Sequence, residues 1–219
     1  HSLENLDEII NLVANKKITT YVACNLRFHP CINFLKEKIG KQDLKINEIN
    51  IYCGSYLPDW RTGEDFKDIY SANPNMGGGV HLDLFHEIDY ATWLFGQPKL
   101  YNSIKRSVST LSIDSIDYAN YILQYEKFTI SIILNYFRKK VKREIEIVFD
   151  QITWNIDLIN NKIKTDEGVV IFEVKQFDIL QTYKSQLSYY IDCLKVKSQP
   201  MNSFEDSIPA LKICLENEK

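Results

Sequence analysis

The sequence has few features that would direct it to a membrane or to nucleic acid. No segment approaches the roughly 18 uninterrupted apolar residues that a membrane helix needs, and the first ten residues, HSLENLDEII, lack a basic region followed by an apolar one. The formal net charge is only -3, and lysines alternate with acidic residues rather than forming a basic patch. We therefore expect neither nucleic acid nor membrane as a partner.

Cysteines are few, and their spacing does not suggest disulfides. The chain has five, an odd number, without C-x-x-C spacing, and three of them lie in apolar runs, which argues against a disulfide framework or a zinc site. Reduced, buried cysteines in a cytoplasmic protein are the expectation. With 219 residues of ordinary apolar content, the chain is large enough for one globular domain with a substantial core.

The first 25 residues carry the pattern of half an α/β unit. Ser2 is placed to cap a helix that ends near Asn15, because apolar residues follow it at helical spacing. The β-branched run from Ile18 to Cys24 then predicts a buried strand. Such a strand needs neighbours, and no strand precedes it, so we expect residues 1–25 to be the remnant of an α/β domain.

Residues 26–219 predict an α+β domain built on a large, mostly antiparallel sheet. A short helix after Pro30 should end at Gly40, and a long loop should span Tyr56 to Pro74. A long helix with one apolar face should cover the sheet, and Pro209 predicts a late start for the last helix. Short connections imply antiparallel neighbours among the predicted strands, which are Lys45–Cys53, Lys99–Ser109, Tyr118–Tyr125, Phe128–Phe137, Val141–Phe149, Ile152–Leu158 and Val169–Val174.

The segment from Gly77 to Gly96, GGGVHLDLFHEIDYATWLFG, contains the best candidates for chemistry. Its three leading glycines suit either a loop that approaches a ligand or merely a tight turn into a helix. At about 100° per residue, Asp83 and His86 lie about 60° apart on a helix, and so do His86 and Asp89. A carboxylate beside an imidazole fixes its tautomer and raises its basicity, as a general base requires. The alternative is an ordinary pair on the helix surface.

A metal site is the other chemistry to weigh in this segment. His81, Asp83 and His86 are all potential ligands, but His81 and His86 fall about 140° apart on a helix, so the three side chains do not converge. No second carboxylate cluster occurs elsewhere in the sequence. We therefore predict that no metal is bound.

The same segment resembles the signature of the Gfo/Idh/MocA oxidoreductases, the family of glucose-fructose oxidoreductase and inositol dehydrogenase. The resemblance extends to Asn25–Pro30, Tyr56–Arg61, Leu134–Tyr136 and Arg143–Ile147, and so covers nearly the whole chain. It implies a dihydrodipicolinate reductase-like C-terminal domain, with residues 1–25 as the end of a Rossmann domain that binds NAD or NADP. Neither a G-x-G-x-x-G turn nor the family's Glu-Lys-Pro motif is present.

The resemblance also implies roles for individual residues. His86 would carry a proton to or from a substrate hydroxyl, with Asp83 as its partner, although many members space the two residues four apart rather than three. The expected substrate-binding residues are Arg27, Tyr56, Asp59, Trp60, Arg61, Gly78 and Gly79. For Arg27 a structural tie between domains is an equal alternative. For Tyr56, Asp59, Trp60 and Arg61 the alternative is packing of the loop on its own domain or at a subunit contact.

The resemblance leads to two main functional hypotheses. The first is an NAD(P)-dependent dehydrogenase of a sugar, sugar acid or nucleotide-linked sugar, in which this chain alone is inactive because the cofactor domain is missing. The second is a non-catalytic binding or dimerisation module, since family members pair through the large sheet; a homodimer or higher oligomer is expected in either case. A metal-dependent isomerase or hydrolase is a third, which requires His81, Asp83 and His86 to converge.

Overall fold

The computed structural model describes residues 2–41 and 44–216, and its centre is a single large sheet. Eight strands lie in the order β2-β3-β4-β1-β5-β6-β7-β8, and only the pair of β1 and β4 is parallel among those described. The α+β class and the mostly antiparallel sheet are thus confirmed. The strands are β1 (Ile46–Tyr56), β2 (Leu100–Arg106), β3 (Tyr118–Gln124), β4 (Thr129–Asn135), β5 (Phe137–Phe149), β6 (Thr153–Asp157), β7 (Lys162–Thr165) and β8 (Val170–Glu173).

Four helices, α2, α3, α4 and α6, lie against one face of this sheet and enclose the core with it, whereas α1 and α5 do not. In the central strands every second residue is buried, as Ile49 and Ile51 of β1 illustrate. α4 contributes Ile88 to the same core, and α6 contributes Ile213 and Cys214. The helices are α1 (Leu6–Lys16), α2 (Pro30–Lys38), α3 (Val80–Asp83), α4 (His86–Phe95), α5 (Leu180–Val196) and α6 (Phe204–Leu215).

The opposite face of the sheet is open and concave, and its centre is polar. It encloses a half-open volume of about 830 Å³ lined by alternate residues of the middle strands, among them Asn50, Tyr52, Glu146 and Asn155. All five cysteines are free and buried, as predicted. None of the helices in the described ranges is long and apolar enough to cross a bilayer.

The start of the chain departs from prediction. α1 begins at Leu6 rather than near Ser2, because Asn5 adopts a left-handed conformation with φ 58°. The predicted strand from Ile18 to Cys24 does not form: the segment has no regular secondary structure and lies outside the sheet. Hydrogen bonds to the connection between α5 and α6 hold it instead: Val22 donates to the carbonyl of Asn202 at 2.8 Å, and the Asn202 amide donates back at 2.9 Å.

The long helix α5 does not cover the sheet, so that prediction is wrong. Its apolar stripe faces outward, and Leu187, at its middle, is 59% exposed. The opposite side packs on the short 3-10 turn Asn25–Phe28, where Tyr189 lies against the ring of Phe28. The helical period correctly indicated an amphipathic helix, but it cannot indicate which surface the apolar side meets.

Two smaller predictions also need correction. α6 begins at Phe204 with Pro209 inside it, because Ser203 and Asp206 form a reciprocal capping box that starts the helix early. β7, with four residues, was not predicted, because so short an alternation carries little signal.

Candidate active site

The glycine run before α3 is shaped by contacts within the chain. Gly77 and Gly79 have φ of +80° and +134°, a range that other residues rarely adopt. A Cβ atom at Gly78 would lie 2.1 Å from the carbonyl oxygen of Tyr70 and 2.7 Å from that of Asn73. These contacts account for Gly78 and Gly79 without a ligand, and they favour the tight turn over the ligand-binding loop.

Gly78→Ala is therefore expected to destabilise the fold by about 3 kcal/mol, the upper end of overpacking effects, because backbone carbonyls would have to move. Chemical denaturation followed by circular dichroism measures the change. Gly168→Ala is the control for backbone strain without crowding: Gly168 has a positive φ, of +83°, which Gly78 does not, but a Cβ there meets nothing within 4 Å. Equal stability of the two variants would contradict the steric explanation.

Asp83 and His86 lie on two separate helices, so the prediction of one continuous helix is wrong. α3 ends at Asp83, and α4 begins at His86 after a break at Leu84, whose ψ is 32°. The expected angle of about 60° between the two side chains assumed unbroken helical geometry and does not apply here. Each residue has to be described with its own neighbours.

Asp83 sits in a cluster of tyrosines. The Tyr136 hydroxyl donates to Asp83 Oδ2 at 2.5 Å. Burial and the nearby Asp83 charge raise the pKa of Tyr136 far above its ordinary value, so the phenol stays protonated as the donor. Burial and Asp83 also raise the pKa of Tyr70. The carboxylate of Asp83 is thus held by phenol groups rather than by the His86 ring.

Two of the predicted substrate-binding residues join this cluster. The Trp60 ring stands edge-on to the Tyr136 ring, with centroids 5.3 Å apart, and its Nε1 donates to Ser55 at 2.9 Å. The Arg61 guanidinium lies 5.8 Å from the centroid of the Tyr70 ring. We call Asp83, Tyr136, Tyr70, Trp60 and Arg61 the Asp83 cluster.

Other residues of the same loop have different surroundings. The ring of Tyr56 is covered by the Lys139 ammonium, 3.2 Å from its centroid, and Asp59 is exposed to solvent. Tyr70 and Tyr136 were not predicted as site residues. Tyr136 lies in a stretch that carried the family resemblance, which was the available signal, whereas nothing in the loop sequence distinguished Tyr70.

His86 has an environment suited to a neutral imidazole. The residue is partly buried, and its Nδ1 atom is fully buried without a hydrogen-bond partner in the described ranges. Burial lowers the pKa of His86 below its ordinary value; Glu87 and Asp89 oppose this shift, while Arg143 adds to it. At neutral pH the ring is therefore unprotonated and able to accept a proton.

Two buried ion pairs fix the helix on which His86 lies. Arg143 Nε donates to Glu87 Oε1 at 2.7 Å and its Nη2 to Oε2 at 3.2 Å. Arg27 pairs with Asp89 in the same two-pronged way, at 2.9 and 2.7 Å. Both carboxylates belong to α4 and are almost completely buried. The pairs hold α4 rigidly against β5 and against the turn that carries Arg27.

Arg27 has little capacity left for a substrate. Besides its pairing with Asp89, its Nη1 donates to the Met201 carbonyl at 3.0 Å and its Nη2 to Asn202 Oδ1 at 3.1 Å. The residue is buried, so these bonds are shielded from water. This geometry favours the structural alternative for Arg27 over contact with a substrate.

The described part of the chain forms neither a metal site nor a dinucleotide site. Within residues 2–41 and 44–216, no group of three or more His, Cys, Asp or Glu side chains is placed to share a metal ion. The parallel pair, β1 and β4, lacks the glycine-rich turn that holds a dinucleotide phosphate, since Leu57-Pro58-Asp59 follows β1. Residues of this chain therefore do not fit the phosphates of a nicotinamide cofactor.

Comparison with known proteins gives matches among solved structures. No family model and no curated protein matches the sequence. An oxidoreductase from Agrobacterium radiobacter, in complex with NAD+, L-tartaric acid and magnesium, superposes with a TM-score of 0.77 at 16% identity, over 97% of this chain and 66% of that one. Myo-inositol 2-dehydrogenase from Lactobacillus plantarum gives 0.74 at 16% identity, over 97% and 66%.

A levoglucosan dehydrogenase, in complex with NADH and levoglucosan, gives a TM-score of 0.78 at 14% identity, over 95% of this chain and 65% of that one. The chain thus spans slightly less than two thirds of the length of these oxidoreductases. At such identities the likeness concerns the fold, and it confirms the fold that the resemblance to the Gfo/Idh/MocA family implied.

Proposed function

We propose that the chain is the substrate-binding and catalytic part of an NAD(P)-dependent oxidoreductase of the Gfo/Idh/MocA family, which interconverts an alcohol and a ketone on a sugar or sugar nucleotide. The proposal is carried by His86, which lies at the start of α4 with a pKa lowered by burial. It directly follows the helix that ends in the Asp83 cluster, within a fold shared with sugar and polyol dehydrogenases.

His86 is proposed to take the proton of the substrate hydroxyl during oxidation. An unprotonated imidazole suits this role, and burial keeps it unprotonated at neutral pH. The Asp83 cluster would hold the sugar: Trp60 and Tyr70 present exposed aromatic rings, and Asp83 accepts hydrogen bonds. Asp83 would act by orienting substrate hydroxyls rather than by fixing the tautomer of His86.

The hydride acceptor is proposed to be NAD or NADP, bound mainly by a Rossmann domain that corresponds to the part of the matched oxidoreductases that this chain does not span. The start of the chain supports this division, with residues 1–25 as the end of that domain and 26–219 as the substrate domain. Three apolar residues here are exposed, as expected for a surface that another domain covers: Ile9 and Leu12 of α1, and Ile18 of the segment that follows it.

A non-catalytic module is the second candidate function. The open face of the sheet supports it, because this wide concave surface is free of helices and could receive a second copy of the chain. A homodimer or larger oligomer through this face is also part of the first proposal. The first proposal also includes a cytoplasmic location, which the five free cysteines favour.

Nucleotide binding separates the two candidates. We expect the 219-residue chain to show no tight binding of NAD or NADH in isothermal titration calorimetry, because it has no phosphate-binding turn. The full-length gene product should bind the cofactor and, in a screen of sugars and sugar acids, change nicotinamide absorbance. Tight binding by the 219-residue chain would contradict the domain division, and a full-length product without cofactor binding would favour the module.

A further inference from the structure

The long helix α5 has an exposed apolar stripe that nothing in the described ranges covers. Five apolar side chains fall within about 80° of one another on the helix, at about 100° per residue, and each is between 41% and 59% exposed. We call them the α5 stripe: Leu180, Tyr183, Leu187, Ile191 and Leu194. Single exposed apolar residues are common, but a contiguous patch of this kind marks a contact with another molecule or domain.

The α5 stripe adjoins the segment that follows α1. Tyr190 lies about 20° from Tyr183 on the helix, and its hydroxyl donates to the Thr19 carbonyl at 3.0 Å. Its ring stacks on that of Tyr21, with centroids 5.2 Å apart. The residue before Thr19 is Ile18, which is 48% exposed. Tyr190 thus connects the α5 stripe with the apolar surface at the start of the chain.

The packed side of α5 is tied to the helix that carries His86. Thr182 is completely buried, and its hydroxyl accepts from the Asn25 side-chain amide at 2.8 Å. Arg27, in the same 3-10 turn as Asn25, forms the buried ion pair with Asp89 of α4. A domain seated on α5 would therefore be held in a fixed position relative to α4. Hydride transfer needs cofactor and substrate fixed in this way.

We propose that the α5 stripe is a docking surface for the upstream cofactor domain, which would cover α5 together with Ile18 and the exposed side of α1. The assignment rests on the proposed function above. The matched oxidoreductases are covered over 66% of their length, so their remaining part is about half as long as this chain, a size usual for a domain. A second copy on the α5 stripe would leave the exposed residues at the start of the chain unexplained.

Thiol labelling can test this contact, because all five cysteines of the chain are buried. Leu187→Cys places a thiol in the middle of the α5 stripe. Ser185→Cys is the control, since Ser185 is exposed but points about 160° away on the helix. Each variant would be made in the 219-residue chain and in the full-length protein, and peptide mass spectrometry would follow its labelling by N-ethylmaleimide.

We expect Leu187→Cys to react at least about tenfold more slowly in the full-length protein than in the 219-residue chain, because a covered thiol reacts only when the contact opens. Ser185→Cys should react equally fast in both. Fast labelling of Leu187→Cys in both proteins would overturn the proposal, as would equal protection of the two positions in the full-length protein. Protection of Leu187→Cys in the 219-residue chain that grows with protein concentration would also overturn it, by identifying a second copy as the occupant.

The same proteins separate this contact from the proposed function. A full-length protein that protects Leu187→Cys, but neither binds a nicotinamide cofactor nor changes its absorbance with any sugar, would contradict the proposed function and leave the contact with the upstream domain standing. Nicotinamide turnover by a full-length protein in which Leu187→Cys stays fast would do the reverse.

Discussion

His86→Ala should lower kcat of the full-length enzyme by about 10² to 10⁴, the contribution usual for a positioned general base. The imidazole is the neutral group that the candidate site offers to accept a hydroxyl proton, since the Tyr136 phenol is held protonated by burial and by Asp83. Nicotinamide absorbance with the best substrate from the screen measures the loss. KM should change less than kcat, because the proton is transferred in the transition state.

His81→Ala provides the matched control for this loss. His81 is a second buried histidine of the same segment, with an unpaired Nδ1 and a pKa lowered to about 4 by burial, but it lies against Gly79 and near Lys105 rather than at the start of α4. Its replacement should leave kcat within a few fold of wild type. A comparable loss in both variants would indicate a structural effect and remove the special role of His86.

The pH profile offers a second check on the same residue. Because the folded-state pKa of His86 lies below 6.5, the neutral, proton-accepting form predominates at pH 7. The kcat/KM for oxidation should therefore be level near neutrality and fall only as the pH drops through that lowered pKa. If the acidic limb of the kcat/KM profile had its midpoint above pH 6.5, His86 would not be the neutral base of the free enzyme.

Local periodicity predicted most of the elements but not how their surfaces meet. The alternation within β1 correctly indicated a strand with one buried face, because successive side chains of a strand point to opposite faces of the sheet. The break at Leu84 was not visible, since the run from Val80 to Phe95 is apolar at helical spacing throughout. The contact of Tyr136 with Asp83 joins residues 53 positions apart, and no local pattern reports such a distance.

The ion pair of Arg27 and Asp89 shows the same limit for a predicted site residue. The position of Arg27 in the sequence suggested a residue of the substrate cleft. Its role is decided by Asp89, which lies 62 positions away. We expect Arg27→Met to lower the free energy of unfolding by about 3 to 5 kcal/mol, because it leaves the Asp89 carboxylate buried without a compensating charge. Urea denaturation followed by circular dichroism measures this.

Removing both charges should restore most of that loss. In Arg27→Met with Asp89→Leu no charge is left unpaired, and replacing a buried pair by apolar residues of similar volume is often neutral or stabilising. The Met201 carbonyl and Asn202 amide, which Arg27 also contacts, would still lose a partner, so recovery should be incomplete. If Arg27→Met instead left the stability unchanged and weakened substrate binding, Arg27 would belong to the substrate site after all, and the tie between α4 and the start of the chain would have to be sought elsewhere.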